Sequence, residues 1–560
     1  MEFLDARRLT GPNLFLNQAG TVLDVRCTED EANRLLPVWT EHVRRLLDAV
    51  GWQGTAIGTR RVASGLSLAF SAPIDALYAA TELNERAWRF CECHFEDVEQ
   101  PDFEAAIDDL KEAIASEANP RLLALARAAS DHGVALLHDD DHASVGLGVG
   151  SQTWPVREIP EPAAVVWRAI HDVPLALVTG TNGKTTSVRL AAHIARAAGR
   201  CAGLSSTDWT AIDDTVLEHG DFAGPGGARA VLREKRVDFA VLETARGGLL
   251  RRGLAVKRAD VALITNIAED HLGDFGSQTL DELLEIKWII SRAVAESGAL
   301  ILNADDDVLV EKSADYPGRI VWFSLDPHNA VVEAQVANGG TSFVLDDQDL
   351  CRVDQNARET ICSSPDIPIT LGGAAKHNVS NALAAAALTS CLGVSLADIG
   401  RGMRSMSADS NPGRCNLFEI SGARVLLDFA HNPHGMQALF DLARALPARR
   451  RLLAFGQAGD RTDEAIRELA RSAWSLEPDE VIVSELESYW RGRSRGEIYG
   501  IIRGELLKLG ARPDQLRHFD EERESVDAAL AWAKPGDLVI LLVLADSQAI
   551  HAHLKALAEY

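Results

Sequence analysis

One glycine-rich segment, VTGTNGKTT (Val178–Thr186), constrains the fold of this chain more than any other feature. It follows the apolar run LALVTG and precedes SVRLAAHIARAAG, so it predicts a tight loop between a buried strand and a helix. Glycines let the backbone point its N–H groups at phosphate oxygens, and a helix N-terminus favours anions. Lys184 adds a cation and Thr185 a hydroxyl for Mg²⁺. The segment therefore predicts a nucleotide phosphate site, although Val178 replaces the first glycine of a strict Walker pattern.

Short apolar runs alternate with helical patterns from Leu175 onward. DFAVLET, ADVALITNI, GALILNAD and RIVWFSL predict a parallel sheet that is covered on both faces. A second strand–helix series, which ends in DLVILLVL, predicts a second parallel sheet, and closely spaced prolines between Trp154 and Pro174 predict a linker. The sequence therefore predicts an α/β protein with an α+β N-terminal domain (1–155), a P-loop central domain (165–410) and a Rossmann-like C-terminal domain (411–560).

The N-terminal part mixes strand and helix patterns. They predict a strand over Gly20–Val25, helices over Glu29–Ala49 and Phe103–Ala129, and a strand pair between Gly58 and Phe70.

Two clusters in this part contain residue types that bind metals. Cys91–His94 lacks the C-x₂₋₄-C spacing and a second pair, and the consecutive residues of HDDDH (His138–His142) cannot all converge on one ion. We therefore predict no metal site in either cluster and a solvated turn at HDDDH.

The acidic composition excludes several classes of partner. The chain has 56 Lys and Arg against 82 Asp and Glu, a net charge of −26, which repels nucleic acid and anionic membranes. No segment approaches the roughly 18 apolar residues of a membrane span, and the first residues show no signal-peptide pattern. Eight scattered cysteines fit a reducing compartment better than a disulfide framework. We expect a cytoplasmic protein that binds neither nucleic acid nor membranes.

Several later motifs, together with the phosphate loop, resemble the Mur ligase superfamily, which includes peptidoglycan amino-acid ligases, folylpolyglutamate synthases and the C-terminal half of cyanophycin synthetases. The motifs are TGTNGKTT, LETARGGLLRRG, TNIAEDHLG, ILNADD, KHNVSNALAA, NPGR and DFAHNP. LETARGGLLRRG, TNIAEDHLG, GDRTDEAI and YWRGRSRGE are most similar to cyanophycin synthetases, and RRLTGPNLF and VGLGVGSQTWPV resemble the N-terminal domain of that family. Cyanophycin synthetases carry an ATP-grasp domain between these regions, whereas here a short linker joins Gly150 to Pro174. The resemblance therefore implies a Mur-type ligase without that domain.

The resemblance also implies which residues bind ATP: Gly180, Thr181, Asn182, Gly183, Lys184, Thr185, Thr186, Asn378, Asn381, Arg414, Asp428 and His431. Lys184 would hold the β- and γ-phosphates, and Asn381, with Asn378 beside it, would meet the adenine edge. Asp428 would accept from the ribose hydroxyls. Arg414 would reach the γ-phosphate when the C-terminal domain closes, and His431 would face the phosphates.

The metal ligands implied by the resemblance are Thr185, Glu243 and His271, which would hold Mg²⁺. Lys287 matches a family lysine that is commonly carbamylated by CO₂, a reaction open to a lysine kept neutral by burial. The catalytic residues implied are Lys184, Lys287, His271 and Arg414.

Such a site implies an ATP-dependent ligase that forms an acyl phosphate, which an amine then attacks to give an amide or isopeptide bond. By resemblance the substrates are an acidic amino acid or peptide and a second amino acid, the protein is a homo-oligomer, and any ATP-grasp ligase is a separate partner. Two alternatives stay open: a partner-dependent or regulatory subunit of a two-protein polymer synthetase, and a peptidoglycan or folate ligase. Retention of the implied site residues argues against the first, and the ARGGLLRRG motif argues against the second.

Overall fold

The computed structural model of the protein describes residues 1–62, 64–270 and 279–559. Within these ranges the strands form four sheets. None of the described helices is long and apolar enough to cross a membrane. The eight cysteines are free thiols, in agreement with their scattered positions.

An antiparallel four-stranded sheet in the order β1-β2-β4-β3 forms the N-terminal part. Its elements are β1 (Glu2–Leu9), β2 (Gly20–Arg26), α1 (Glu29–Ala49), β3 (Ile57–Val62), β4 (Gly65–Ser71), α2 (Leu77–Glu96), α3 (Phe103–Glu117) and α4 (Pro120–Asp131). The predicted helix over Phe103–Ala129 is in fact two helices, because Pro120 restricts Asn119, which leaves the helix and caps α4 instead. Cys91 and Cys93 are buried in α2, where burial raises the pKa of the Cys91 thiol to about 12, so they pack in the core.

A small three-stranded sheet follows, with β5 (Leu136–His138), β6 (His142–Val145) and β7 (Gln152–Pro155). Residues 139–141 of the HDDDH segment form the turn between β5 and β6, and Asp140, Asp141 and His142 are exposed, as predicted; the ion pairs of two of its carboxylates were not predicted. Asp139 pairs with Arg233 and lies 3.6 Å from Arg229, while Asp140 pairs with Arg8 at 2.7 Å. These carboxylates therefore connect the small sheet to Arg8 of the N-terminal sheet and to Arg229 and Arg233 of the central part of the chain. Residues 156–174 then form short 3₁₀ turns that lead directly into the next sheet.

The central sheet contains eleven strands in the order β11-β10-β9-β12-β8-β13-β14-β15-β16-β17-β18. Its strands are β8 (Leu175–Thr179), β9 (Ala202–Ser205), β10 (Trp209–Ile212), β11 (Thr215–His219), β12 (Phe239–Glu243), β13 (Ala259–Ile264), β14 (Val294–Asn303), β15 (Ile320–Ser324), β16 (Ser342–Asp346), β17 (Asp349–Val353) and β18 (Arg358–Ser363). Its helices are α5 (Lys184–Ala197), α6 (Pro225–Leu232), α7 (Arg246–Arg252), α8 (Leu280–Trp288), α9 (Asp307–Ser313), α10 (Ala330–Ala337), α11 (Lys376–Cys391) and α12 (Leu396–Ser405). Ala176 and Val178 of β8 face one hydrophobic core and Leu175 and Leu177 the other, so this strand is buried on both faces, as its continuous apolar run predicts.

The C-terminal sheet has the order β19-β20-β24-β21-β22-β23 and is parallel except for β19. Its elements are β19 (Asn416–Ile420), β20 (Ala423–Asp428), α13 (Pro433–Ala445), β21 (Arg451–Phe455), α14 (Asp463–Trp474), β22 (Glu480–Ser484), α15 (Glu497–Lys508), β23 (Leu516–Phe519), α16 (Glu522–Trp532), β24 (Leu538–Leu542) and α17 (Ser547–Ala558). Together the sheets confirm the predicted α/β class with a mixed N-terminal part.

The N-terminal part docks on the central sheet through the segment that follows β1. The backbone N–H of Thr10 donates to the carbonyl of Arg252 at 2.8 Å, and the N–H of Leu254 donates to the carbonyl of Pro12 at 2.7 Å. A Cβ atom on Gly11 would lie 2.1 Å from the Leu254 carbonyl oxygen, so only glycine allows this approach. RRLTGPN and LLRRG, two of the motifs singled out in the sequence, therefore contact each other.

Candidate active site

The candidate site lies at the carboxyl edge of the central sheet. Strands β9, β12, β8, β13 and β14 are neighbours and run parallel, so the loops after them meet at one edge. A cavity of about 2460 Å³ opens above this edge and extends to the C-terminal sheet and to β1. It exceeds the roughly 300–1,000 Å³ of an ordinary small-molecule pocket. There is room for a nucleotide together with further substrates.

The phosphate loop connects β8 to α5, as its sequence predicts. Gly183 has φ 84° at the start of α5, a conformation that favours glycine. Lys184 Nζ donates to the Thr181 carbonyl at 2.8 Å, and the Asn182 N–H donates to Asn266 Oδ1 at 2.9 Å. The loop is thus held in the curled form that a phosphate would need.

Glu243 ends β12 and is 1% exposed. Its carboxylate accepts from the hydroxyl of Thr185 at 2.8 Å and from that of Thr207 at 2.6 Å. A buried carboxylate beside two hydroxyl groups is a set of hard oxygen donors of the type Mg²⁺ prefers. The residues therefore fit a magnesium ion. His271, the third implied ligand, lies outside the described residues.

Lys287 points from α8 toward the loop and is 4% exposed. Its Nζ donates to the Gly180 carbonyl at 2.9 Å. Burial, and then the positive charge of Lys184, lower the pKa of Lys287 well below its usual range. The amphipathic pattern of α8 alone would allow an exposed lysine, whereas the structure buries it next to the phosphate loop.

Asn378 and Asn381 are buried near the start of α11. Asn378 Nδ2 donates to the Ile369 carbonyl at 2.7 Å, and Asn381 Nδ2 donates to Asn378 Oδ1 at 3.2 Å. The Asn381 amide also packs against Gly183, where an added Cβ would lie 2.2 Å from Asn381 Oδ1. The two asparagines are therefore fixed in position beside the phosphate loop.

Arg414, Asp428 and His431 come from the C-terminal side of the cavity. The Arg414 guanidinium stacks 4.1 Å from the centre of the Phe429 ring. Asp428 ends β20 and accepts from the backbone N–H groups of Cys415 at 2.7 Å and Ala430 at 2.8 Å. The backbone therefore orients the Asp428 carboxylate.

His431 is held from both sides of the cavity. Its Nδ1 lies 3.0 Å from the Phe429 carbonyl, and its Nε2 lies 3.6 Å from the carboxylate of Asp270 on the central side. The ring therefore spans the boundary between the two sheets.

The structure brings nearly all of the predicted site residues to one cavity. Those that line it are Thr181, Asn182, Gly183, Lys184, Thr185, Thr186, Glu243, Lys287, Asn378, Asn381, Arg414, Asp428 and His431. Gly180 is not among the lining residues, and its carbonyl instead accepts from Lys287.

Sequence reasoning missed several residues of this cavity. Asp208 and Thr207 follow β9 at the same sheet edge, and His434 lies 2.9 Å from Asn182. Sequence reasoning did not predict β9, the short strand before Asp208; with that strand recognised, the position of Asp208 just after its end would have been a signal, since ligands bind at the carboxyl ends of parallel strands.

Five arginines line the wall of the cavity nearest the N-terminal sheet: Arg7, Arg8, Arg246, Arg251 and Arg252. Arg7 Nε donates to the Leu250 carbonyl at 3.2 Å, and Arg252 Nη1 donates to the Arg8 carbonyl at 3.1 Å. Arg7 also pairs with Asp24 at 2.5 Å. In a chain of net charge −26, this wall is a local concentration of positive charge.

Comparison with known proteins agrees with this geometry. Residues 178–389 match the model of the Mur ligase middle domain, and residues 413–542 match that of the Mur ligase glutamate ligase domain. The chain is 35% identical over 380 residues to a cyanophycin synthetase of Crocosphaera subtropica, covering 68% of this chain and 43% of that protein. It is 26% identical to a UDP-N-acetylmuramyl-tripeptide synthetase of Deinococcus radiodurans, covering 68% of this chain and 74% of that protein.

A solved structure of E. coli FolC in complex with DHPP and ADP matches with a TM-score of 0.50 and 21% identity, covering 68% of this chain and 89% of that one. At this identity the match supports the fold. By contrast, the chain spans less than half the length of the cyanophycin synthetase of Crocosphaera subtropica that it matches.

Proposed function

Because the chain belongs to the Mur ligase family, we propose that it is an ATP-dependent carboxylate–amine ligase. It activates a carboxylate of an acidic amino acid or peptide as an acyl phosphate and joins it to an amino acid through an amide or isopeptide bond. One observation carries this proposal: the phosphate loop, Glu243 and Lys287 of the central sheet line the same cavity as Arg414 and Asp428 of the C-terminal side.

Each residue of the site is assigned a role in ATP binding that its side-chain chemistry allows. Lys184 and the loop N–H groups bind the β- and γ-phosphates, and Arg414 binds the γ-phosphate. Asn381 recognises the adenine edge, and Asp428 accepts from the ribose hydroxyls. In the reaction the acceptor carboxylate takes the γ-phosphoryl group and releases ADP, and the amine then displaces phosphate and loses a proton.

Mg²⁺ would be held by Thr185 and Glu243, together with His271, and would neutralise charge on the phosphates. We also propose that Lys287 is carbamylated. Its neutral amine adds CO₂ and releases one proton, which converts a buried amine into an anion beside the cation site. The lowered pKa of Lys287 supports this reaction, because only the unprotonated amine attacks CO₂.

We assign one substrate to the N-terminal side of the cavity and one to the C-terminal side. The arginine wall near β1 fits an acceptor rich in carboxylates. On the C-terminal side, where Arg461, Tyr489 and Arg491 line the cavity, we place the incoming amino acid. Because residues 156–174 are only short turns, an ATP-grasp reaction would come from a separate ligase. We further propose a homo-oligomer, by similarity to the family.

The test is turnover by the purified chain with Mg-ATP, each amino acid in turn and short Asp or Glu peptides. A product with the mass of peptide plus amino acid minus water, accompanied by ADP and phosphate, establishes the ligase. Lys184→Ala is the inactive reference, and Lys235→Ala, an exposed lysine outside the cavity, is the matched control. ATP binding without product on any pair would favour the partner-dependent alternative, and the assay would be repeated with an ATP-grasp ligase.

A further inference from the structure

Asp208 joins two arginines that belong to different parts of the molecule. It lies in the turn between β9 and β10 and lines the cavity. Its carboxylate accepts from Arg189 of α5 and from Arg414, whose Nη2 lies 3.2 Å from Oδ2. The preceding residue, Thr207, binds Glu243 through its hydroxyl. One short turn therefore touches both the candidate metal ligand and the candidate γ-phosphate ligand.

Arg189 fixes Asp208 from the central side. The Arg189 side chain is 2% exposed and its guanidinium stacks 3.8 Å from the centre of the Trp209 ring. Its Nη1 also donates to Asn411 Oδ1 at 3.1 Å, in the segment that enters the C-terminal sheet. A buried guanidinium needs a counter-charge, so it holds the Asp208 carboxylate in one place.

Arg414 is held on its other sides by its own segment. Nη1 donates to the Gly413 carbonyl at 3.3 Å, and the guanidinium plane stacks on Phe429. A guanidinium has five N–H donors in a rigid plane, so it can bind a carboxylate and a phosphate at the same time. Asp208 therefore sets the direction in which the rest of the guanidinium points.

We propose that Asp208 is a positioning residue that orients Arg414 toward the γ-phosphate of ATP, with Arg189 fixing Asp208 in turn. The inference rests on the proposed function, which assigns the γ-phosphate to Arg414. It adds that the ion pairs Arg189–Asp208–Arg414 connect the central sheet to the C-terminal sheet. Recognition of the γ-phosphate therefore depends on the position of the C-terminal sheet relative to the central sheet. A merely structural Asp208 would stabilise Arg189 and leave phosphate recognition unchanged.

The test measures the affinity of the full chain for a non-hydrolysable ATP analogue and for ADP, both with Mg²⁺, by calorimetry. Because a charge-assisted hydrogen bond is involved, Arg414→Ala should lower the ratio of the two affinities about tenfold. Asp208→Asn should lower the ratio by several-fold, and the double variant should be no worse than Arg414→Ala alone. A wild-type ratio in Asp208→Asn, or losses that multiply in the double variant, would overturn the proposal.

Asp214→Asn is the matched control, because Asp214 also pairs with an arginine of α5, Arg196, but lies outside the cavity. Its ratio should equal that of the wild type. If Asp208→Asn does not fold, Asp208→Glu keeps the charge for Arg189 and moves the carboxylate by one methylene. This variant should lower the ratio in the wild-type background and leave it unchanged in the Arg414→Ala background, and equal effects in both would overturn the proposal. These measurements need no turnover, so an inactive wild type would count against a stand-alone ligase without deciding the role of Asp208.

Discussion

Asn182 of the phosphate loop and Asn432, the cap of α13, form a reciprocal pair of amide hydrogen bonds, 3.2 and 3.1 Å long, across 250 residues of sequence. Asn432 Oδ1 also accepts the N–H of Gly435 at 2.8 Å, which is the capping bond of α13. The side chain that caps a helix of the C-terminal sheet therefore also holds the loop that would bind phosphate. The conformation of the phosphate loop and the position of α13 are therefore coupled.

The coupling predicts different outcomes for the two halves of the pair. Asn182→Ala removes the pair and keeps the cap, so we expect ATP affinity to fall several-fold with little change in the free energy of unfolding. Asn432→Ala loses the cap as well, which should lower the free energy of unfolding by a further ~1 kcal/mol. Calorimetry and urea unfolding measure the two quantities. Equal loss of stability in both variants would show that the cap is not formed by Asn432.

Replacing Gly183 by alanine should abolish nucleotide binding. The residue has φ 84°, and its new Cβ would lie 2.2 Å from Asn381 Oδ1, so either the loop or the adenine side of the site must move. Gly226→Ala is the matched control, since nothing lies within 4 Å of a Cβ there and the residue is helical. Titration with ATP distinguishes them, and retained binding in Gly183→Ala would contradict the steric argument.

Glu243→Gln should raise the Mg²⁺ concentration needed for half-maximal ATP turnover by roughly tenfold or more. The amide keeps the shape of the side chain but removes the negative charge from a donor set of hard oxygens. Glu218→Gln removes a carboxylate from an exposed position of β11 and should leave the Mg²⁺ dependence unchanged. A shift of the same size in both variants would mean that overall charge, rather than a bound ion, is responsible.

Carbamylation of Lys287 predicts a dependence on CO₂ that grows as the pH falls. Because burial lowers the pKa of Lys287, more of its amine is unprotonated than in an exposed lysine, and acidification protonates it and releases CO₂. Activity in CO₂-free buffer should therefore fall on the acid side and return with bicarbonate. Lys287→Met should be inactive throughout, whereas Lys312→Met, which removes an ion pair with Glu285, should behave as the wild type. Full activity of the wild type without CO₂ would refute the modification.

Local sequence predicted the phosphate loop because its glycines, lysine and threonine act within nine consecutive residues, Val178–Thr186. Strand ends were predictable for the same reason, since the apolar run before Glu243 ends at the sheet edge. The predicted helix over Phe103–Ala129 was wrong at Pro120, where the effect of proline on the preceding residue outweighs helical periodicity. The burial of Lys287 depends on packing between α8 and the loop, which periodicity does not reveal.

Contacts between distant segments were the part that the sequence did not reveal. The bond from Arg414 to Asp208 spans 206 residues, and neither residue type nor spacing marks it. The HDDDH segment shows the same limit. Its sequence predicts a solvated turn, but it does not reveal that Asp139 pairs with Arg233 and Asp140 with Arg8. Long-range pairing of this kind follows from how the sheets are arranged.

The glycine contact between the N-terminal part and α7 has a consequence for exchanging parts between related proteins. Gly11 and the Leu254 carbonyl meet backbone to backbone, and Gly253, at φ 79°, would place a Cβ 2.5 Å from the Pro12 carbonyl oxygen. Neither side can accept a larger residue without moving the other. A chimera that takes its first 155 residues from a relative should therefore fold only when residues 246–254 come from the same donor. The backbone around Gly11 and the backbone around Gly253 fit each other only as a matched pair.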